Sequence, residues 1–429
     1  MELVISRQYL QALSHLSRGK VEQDKVDRFW REPNSHQADP RPSVLSLAAK
    51  GLDDLPRAFA KARPQSKQYA RLRQAYVELR GQALDEVPPI AAGPSLRPGM
   101  HDARVPQLRQ RLHSQGYLTL AAEGDLSAVY EPNLVAAVEQ FQARHKLQTD
   151  GIVGPATLAA LNIDNRQRLA QLRANLERWR WLEGDLENDS LLVDIVGGTM
   201  TLYQDGAQIW HTRTQVGRPN RQTPRMKSLI NQLTLNPSWT VPPTILRQDK
   251  LPEIRRDPSF VARNNMRVYD SRGNSLDPYD INWSAPGNIA LRQAPGPSNP
   301  LGKLVIRFPN PFSVYLHDTP SQHLFNREAR AVSSGCVRVE GIQNLLPLMF
   351  SDEQSQAISQ KIAKGRSEQV PYEPRLAVLL AYWTADVSDD GQLIIRSDPY
   401  KLDPALLRAL DAAPAGSPVQ LADASQIEN

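Results

Sequence analysis

The sequence has a single cysteine, Cys336, in a chain of 429 residues. One cysteine excludes an internal disulfide bond and a metal site built from several thiolates. A lone thiol is either a small buried hydrophobic group, which is the commoner case, or a reactive group. An exported enzyme with a thiol nucleophile would benefit from having no second cysteine to oxidise with. The residues around Cys336 therefore have to decide between the two interpretations.

The chain also lacks long hydrophobic runs and a strong charge bias. No apolar stretch approaches the roughly 18 residues of a membrane-spanning helix, and the longest, Leu376 to Trp383, is typical of a strand. The N-terminal MELVISRQYLQAL lacks the regions of a signal peptide, so we expect the signal or anchor of an exported protein to lie outside this sequence. The net charge of +5 is mild and its basic residues are dispersed, which argues against nucleic acid as a partner.

The length predicts two or three domains. Residues 1–98 are predicted to be a helical N-terminal scaffold. Apolar residues spaced three and four apart mark one amphipathic helix in it, at Tyr69, Leu72, Tyr76 and Leu79. The helical pattern is interrupted at Pro40, Pro42 and Pro64.

Residues 99–165 are predicted to form a compact unit of three helices. Helical spacing marks the first two, at Val105, Leu108, Leu112, Leu134, Val138 and Phe141. Gly154-Pro155 opens the third helix. The string AVEQFQARHKLQTDGIVGPATLAALN resembles the three-helix peptidoglycan-binding domain of cell-wall enzymes. His145 lies on the apolar face and is interpreted as a packed core histidine. A connecting helix is predicted over 166–190.

From Leu191 the hydrophobic period changes to that of strands, with a hairpin predicted at Asp205-Gly206. This mostly β domain is predicted over 191–350. Residues 236–300 are rich in Pro, Asn and Arg, and a compact domain rarely contains so long a plain loop, so we expect an inserted capping subdomain there. Residues 351–429 are predicted to be a C-terminal helix and a hairpin, turning at Asp390-Gly391, that complete the scaffold.

Two predicted strands, Leu304–Phe308 and Phe312–His317, lead to the cysteine. In the second strand, alternation places Tyr315 and His317 on one face. The other face then carries Phe312, Val314 and Leu316.

Gly335 permits a positive φ and a close approach of substrate. If the chain is extended there, Arg338 projects on the same side as Cys336. A free thiol is mostly protonated at neutral pH and needs a base, for which His317 is the natural partner.

Other interpretations of these residues are weaker. His323 is a competing base, but it lies beyond the Asp318-Thr319-Pro320 turn and not on the strand. The histidines and Cys336 have no zinc-ligand spacing, so no metal is predicted. Trp239 and Trp283 are equally consistent with contacts to glycan or peptide and with aromatic packing.

The segment FSVYLHDTPSQHLFNREARAVSSGCVRVE closely resembles the YkuD-type L,D-transpeptidases, and VGRPNRQTP and LNPSWTVPPTI resemble them too. The resemblance implies Cys336 as nucleophile and His317 as its base. It also implies an oxyanion site from Tyr315 and the amides near Gly335 and Cys336. By the same resemblance Arg338 holds the donor stem peptide. Ser334 replaces the usual histidine before Gly-Cys, so either the Asp318 side chain or a backbone carbonyl has to orient His317.

The resemblance, of the large Gram-negative periplasmic type, implies a multidomain α+β fold. Its parts are a mostly-β catalytic domain with the capping subdomain, a peptidoglycan-binding domain and a helical scaffold. The implied reaction joins a tetrapeptide donor to a diamino-acid acceptor in 3→3 cross-links of peptidoglycan, in the periplasm and without a cofactor. Carbapenems are the expected covalent inhibitors, and cell-wall synthesis proteins are candidate partners. The alternatives are an L,D-carboxypeptidase, a cysteine peptidase or amidase, and a non-catalytic wall-binding scaffold.

Overall fold

The computed structural model describes residues 2–35, 41–81, 87–119, 127–145, 147–327 and 330–412. The predicted break at Pro40 lies outside these residues. The described residues form two compact units. Unit 1 comprises those within Met1–Phe29, Gln37–Leu186 and Tyr382–Asn429, and unit 2 those within Trp30–His36 and Glu187–Ala381. No helix in the described part of the chain has both the length and the apolar character needed to cross a bilayer.

The α-helices are α1 Glu2–Arg18, α2 Gln23–Val26, α3 Val44–Lys50, α4 Leu55–Ala62, α5 Lys67–Gly81, α6 Val105–Ser114, α7 Pro132–Arg144, α8 Pro155–Leu161, α9 Asn165–Leu182, α10 Pro243–Ile245, α11 Leu251–Arg256, α12 Phe260–Arg263, α13 Leu346–Met349, α14 Asp352–Ala363 and α15 Asp403–Asp411. Short 3₁₀ turns occur at Pro33–Ser35, Glu183–Asp185, Gln322–Asn326 and Ile342–Leu345, and a π-turn at Leu246–Lys250.

The strands are β1 Phe29–Arg31, β2 Ser190–Asp194, β3 Thr199–Gln204, β4 Ala207–Gly217, β5 Arg225–Leu229, β6 Gln232–Leu235, β7 Trp239–Thr240, β8 Met266–Tyr269, β9 Ser275–Leu276, β10 Ala290–Gln293, β11 Leu304–Arg307, β12 Leu316–His317, β13 Ala331–Ser333, β14 Val337–Val339, β15 Glu368–Pro371, β16 Ala377–Ala381, β17 Ala385–Val387 and β18 Leu393–Ile395.

Unit 1 contains the predicted amphipathic helix as α5, which buries Tyr69, Leu72 and Leu79. The connecting helix is α9, and its first turn is fixed by a capping box between Asp164 and Gln167. The reciprocal bonds satisfy backbone N–H groups that a helix start otherwise leaves without partners. Both predicted helices are present, although α9 ends at Leu182 and not at residue 190.

The three-helix unit is also confirmed, as α6, α7 and α8. Its core buries the apolar residues that marked the first two helices. His145 caps the end of α7, where its ring stacks on Phe141 at 4.0 Å between centroids. Nδ1 of His145 lies 2.6 Å from the carbonyl oxygen of Ile395. The interpretation of His145 as a packed core histidine is therefore confirmed.

Unit 2 is built on a curled sheet with the strand order β1-β5-β16-β2-β3-β4-β14-β12-β11-β6-β15, and β13 pairs with β4. The predicted hairpin joins β3 to β4 at Asp205 and Gly206, both with positive φ. The late strand β16 lies between β5 and β2, antiparallel to the first and parallel to the second. The apolar stretch Leu376 to Trp383 thus contains a buried central strand, as its composition indicates.

The segment predicted as a capping subdomain forms its own four-stranded sheet, in the order β7-β10-β8-β9, with α10, α11 and α12. Its hydrophobic core extends to Val305 of strand β11 in the large sheet. Trp239 and Trp283 are buried in this core. Of the two roles considered for them, packing is therefore the one that the structure supports.

The structure differs from the predictions in two places. The strand expected over Phe312–His317 is limited to β12, because the Asn310 side chain accepts hydrogen bonds from the Phe312 and Val314 amides and holds a turn. Ser313 in that turn has a φ of 56°. Residues 351–429, expected to act together, divide instead: β15 and β16 join the large sheet, whereas β17, β18 and α15 belong to unit 1.

Candidate active site

Two parallel strands bring the predicted site residues together. Strand β12 pairs with β14 so that His317 is opposite Arg338, and the Val337 amide donates to the Tyr315 carbonyl at 3.1 Å. Side chains at the same level and two residues apart share a face. Tyr315, His317, Cys336 and Arg338 therefore lie on one face of the sheet, as alternation predicted for the first two.

His317 is buried, and its orientation is set by the backbone. Its Nδ1 atom lies 2.5 Å from the carbonyl oxygen of Asp318. A carbonyl only accepts, so Nδ1 carries the proton and the neutral ring keeps a lone pair on Nε2. The Asp318 carboxylate is engaged elsewhere, with the amide of Lys303 at 2.9 Å. Of the two predicted alternatives, the backbone carbonyl is the one that orients His317.

The electrostatic environment keeps His317 neutral. Burial and, to a smaller extent, the positive charge of Arg338 lower its pKa to about 3, and the bond to Asp318 only partly opposes these two effects. The ring is therefore a free base with an available Nε2 at every pH at which the protein would work. That is the protonation state that removing a proton from a thiol requires.

Cys336 is half-buried beside Tyr315. Burial raises the pKa of the thiol, while hydrogen bonds from the Tyr315 backbone and hydroxyl, and the charges of Arg338 and Arg307, act in the opposite direction. Sγ lies 3.8 Å from the carbonyl oxygen of Ser313. Cys336 is thus a protonated thiol at neutral pH whose anion would be stabilised by neighbouring donors.

The turn before Cys336 is held by Ser333. Its hydroxyl accepts from the Gly335 amide at 3.1 Å and donates to the Cys336 carbonyl at 2.6 Å. Gly335 has a φ of 116°, a backbone conformation that would be strained in a residue with a side chain. The Gly335 amide thus already has a partner in Ser333, and its part in the oxyanion site stays a prediction. The Cys336 amide has no partner among the described residues and is left to fill that role with Tyr315.

Ser334 is exposed and points into a cluster of charged side chains. Nη1 of Arg221 lies 2.9 Å from its hydroxyl and 2.6 Å from the Asp249 carboxylate. Arg218 is more distant from both, at 3.5 Å from Ser334 and 3.4 Å from Asp249. Ser334 is thus bonded to arginines and not to His317, so it does not replace a histidine that would support the base.

Arg338 has a partner that the sequence did not indicate. Its Nη1 donates to Oε1 of Gln215 on β4 at 3.0 Å. On the other side of the site, the Arg307 guanidinium lies 5.3 Å from the centre of the Tyr315 ring. Gln215 lies 123 residues before Arg338 in the chain, so no local motif could have identified it.

The competing base His323 lies in the 3₁₀ turn Gln322–Asn326 and is exposed. The described residues contain no group of three or more His, Cys, Asp or Glu side chains placed to hold a metal ion. What the arrangement provides is a thiol, a neutral imidazole and nearby hydrogen-bond donors on one sheet face. These are the parts of a nucleophilic acyl-transfer site.

Replacing the two adjacent serines should have different consequences. We expect Ser333→Ala to lower the free energy of unfolding by about 1–3 kcal/mol, because it leaves the buried Gly335 amide without a partner. Ser334→Ala, at an exposed position, should change it by less than about 0.5 kcal/mol. Urea denaturation of both variants measures the difference. Equal losses would mean that the Ser333 hydroxyl does not hold the turn.

The pH dependence of thiol alkylation should reveal the neutral pair. With the pKa of His317 near 3 and that of Cys336 raised by burial, no imidazolium–thiolate pair forms at neutral pH. We expect the rate of reaction with iodoacetamide to rise with pH into the range above 8, with no plateau between pH 5 and 7. A plateau there would show that the thiolate already exists as an ion pair.

Comparison of the chain with models of protein families agrees with an acyl-transfer site at Cys336. Residues 188–351 match the L,D-transpeptidase catalytic domain (YkuD). Residues 101–161 match a peptidoglycan binding domain and residues 1–75 a scaffold domain. A Haemophilus influenzae protein with the provisional name L,D-transpeptidase is 33% identical over 238 residues, covering 54% of this chain. This chain spans 48% of the length of that relative.

Solved structures give a weaker likeness. An L,D-transpeptidase from Xylanimonas cellulosilytica is 16% identical, with 68% of this chain and 99% of that chain covered and a TM-score of 0.22. One from Stackebrandtia nassauensis is 15% identical, with 68% and 97% covered and a TM-score of 0.24. Scores of this size support no conclusion, so the assignment depends on the family models and the Haemophilus relative. The chain contains an L,D-transpeptidase catalytic domain over residues 188–351, preceded by a peptidoglycan-binding domain over residues 101–161.

Proposed function

We propose that this chain is an L,D-transpeptidase that forms 3→3 cross-links in peptidoglycan. The observation that carries the proposal is that Cys336 shares one face of two paired strands with a neutral His317, whose Nδ1 proton is held by the Asp318 carbonyl. This leaves Nε2 free to take a proton on the face where the thiol lies. The matched catalytic domain contains both residues.

In the first half-reaction, Sγ of Cys336 attacks the carbonyl that joins the diamino acid at stem position three to the terminal D-Ala. The thiol proton passes to Nε2 of His317. We assign the Cys336 amide and the Tyr315 hydroxyl to stabilise the negative oxygen of the tetrahedral intermediate. When the intermediate collapses, the C–N bond breaks, D-Ala leaves with the proton from His317, and a thioester remains.

In the second half-reaction, the side-chain amine of another stem peptide attacks the thioester and gives a proton to His317. The C–S bond breaks, Cys336 is restored as a thiol by that proton, and the new amide is the cross-link. If water attacks instead, the product is the tripeptide of an L,D-carboxypeptidase. The cleft therefore has to favour an amine over water, and the Arg338 guanidinium is the group we assign to hold the donor peptide.

The peptidoglycan-binding unit is proposed to raise the local concentration of the enzyme at the wall without taking part in the chemistry. This substrate places the protein in the periplasm. Cell-wall synthesis proteins are the partners that such a role implies.

The test is incubation of the purified chain with disaccharide-tetrapeptide, followed by mass spectrometry of the products. A dimer that has lost one D-Ala is the expected result. If tripeptide is the only product, the enzyme is an L,D-carboxypeptidase and not a transpeptidase. No product at all, from a protein whose thiol still reacts with iodoacetamide, would refute both activities.

A further inference from the structure

Unit 1 contains a recess that the proposed chemistry does not use. It has a volume of about 220 Å³, and its walls include Gln115, Tyr117, His145, Arg168, Leu393 and Ile395. Pockets for drug-sized ligands measure roughly 300–1,000 Å³, so this recess fits a smaller fragment. Arg168 comes from α9, and Leu393 and Ile395 from β18, outside the matched peptidoglycan-binding segment.

The recess has an excess of positive charge. No carboxylate in the described part of the chain forms an ion pair with Arg168, and its Nε atom is buried without a hydrogen-bond partner. Nearby Arg111 donates to the carbonyl oxygens of Val87 and Pro88 and not to an acid. Burial and the charge of Arg111 lower the pKa of Arg168 to about 10, against the smaller opposing effects of Tyr117 and Asp164, which still leaves it charged at neutral pH. A partly buried cation without an ion-pair partner is costly, so an anionic ligand would be favoured there.

The other charges around His145 are already balanced. Arg144 pairs with Asp390 at 2.8 Å, and Arg396 pairs with Asp386 at 3.1 Å. The unpaired charge at the recess is therefore that of Arg168 itself. A ligand with one negative group would complement it.

The recess also has unused acceptors. Oε1 of Gln115 is buried without a partner, while its Nε2 donates to the Leu161 carbonyl at 3.2 Å. Because Nδ1 of His145 donates to the Ile395 carbonyl, its Nε2 accepts from the Tyr117 hydroxyl at 3.2 Å. That leaves the lone pairs of Tyr117 open. A matching ligand needs an N–H donor close to its negative group, and Leu393 offers it an apolar wall.

We propose that this recess binds the carboxyl-terminal residue of a peptide. The terminal carboxylate pairs with Arg168, the adjacent amide N–H donates to Gln115, and a small side chain packs against Leu393. Within the proposed function, the source is the free carboxyl terminus of a peptidoglycan stem peptide. The inference depends on that function only for naming this source.

Calorimetric titration of the full-length protein with N-acetyl-D-alanine tests the proposal. We expect saturable binding, which N-acetyl-D-alaninamide should not show because it lacks the carboxylate. Arg168→Gln should weaken the affinity by about 10–100-fold, the range expected for one charge-assisted hydrogen bond. Arg173→Gln is the matched control, because Arg173 lies on the same helix but is paired with Asp411 at 2.5 Å. It should bind as tightly as wild type.

Gln115→Leu provides a second variant in case Arg168→Gln does not fold, and it should also lose affinity. Unchanged binding in both variants, or no saturable binding at all, would overturn the proposal. If inorganic phosphate binds as tightly as N-acetyl-D-alanine, the recess is a general anion site and the proposal is overturned. Turnover of tetrapeptide is measured separately at Cys336, so failure of the proposed enzyme activity would leave this result intact.

Discussion

Cys336→Ser is expected to gain no covalent mass from a carbapenem, whereas the wild-type chain gains one drug mass. A thiol that passes its proton to His317 attacks the strained β-lactam carbonyl and stays acylated. A serine hydroxyl at the same place is a weaker nucleophile and a much weaker acid than a thiol, so it gives up its proton to the neutral His317 far less readily. Intact-mass spectra after incubation with meropenem make the comparison.

The same variant should lose turnover of disaccharide-tetrapeptide to the level of the buffer blank. Ser334→Ala is the control, since this neighbouring residue is exposed and we expect it to acylate as wild type does. Label on the Cys336→Ser chain would show that another group is the acceptor. A normal adduct combined with absent turnover in wild type would leave the nucleophile in place but remove the transpeptidase assignment.

His317→Ala is expected to lower kcat/KM for acylation by about 10²–10⁴-fold, the usual cost of removing a general base. His323→Ala should remain near wild type, because that ring is exposed on the 3₁₀ turn Gln322–Asn326. Rates of carbapenem acylation under single-turnover conditions measure the effect on the chemical step.

A second readout separates base loss from misfolding. If His317 is the base, raising the pH should partly restore the rate of His317→Ala, because hydroxide then supplies the thiolate. An unfolded variant would show no such recovery. Equal losses in the His317 and His323 variants would refute the assignment of the base.

Much of the candidate site could be predicted because it depends on neighbours along the chain. Alternation along a strand is a property of the backbone, so it placed Tyr315 and His317 on one face before any fold was known. Gly335 was identified for the same kind of reason, and it has the positive φ that was expected. The helix predictions in unit 1 succeeded on the periodicity of their buried side chains.

Other parts depended on contacts between distant residues. The choice between the Asp318 carboxylate and its carbonyl was decided by Lys303, whose amide occupies the carboxylate. The strand expected from Phe312 was shortened because Asn310 bonds to the amides that would have continued it. The Ser333 hydroxyl accepts a hydrogen bond from the Gly335 amide, which had been predicted to contribute to the oxyanion site. In each case two groups could have bonded to the same donor or acceptor, and the periodicity of the sequence does not show which of them does.

By itself, then, the sequence identified the candidate residues for the chemistry and the segments that are helical, since both follow from the covalent order and its local periods. The tertiary structure alone decided how β16, late in the chain, comes to lie between β5 and β2. It also decided which donors reach Cys336, and it placed Arg168 where no carboxylate of the described residues forms an ion pair with it. Those features arise where chain segments far apart in sequence pack together, and burial then makes each unpaired polar group costly enough to select one arrangement.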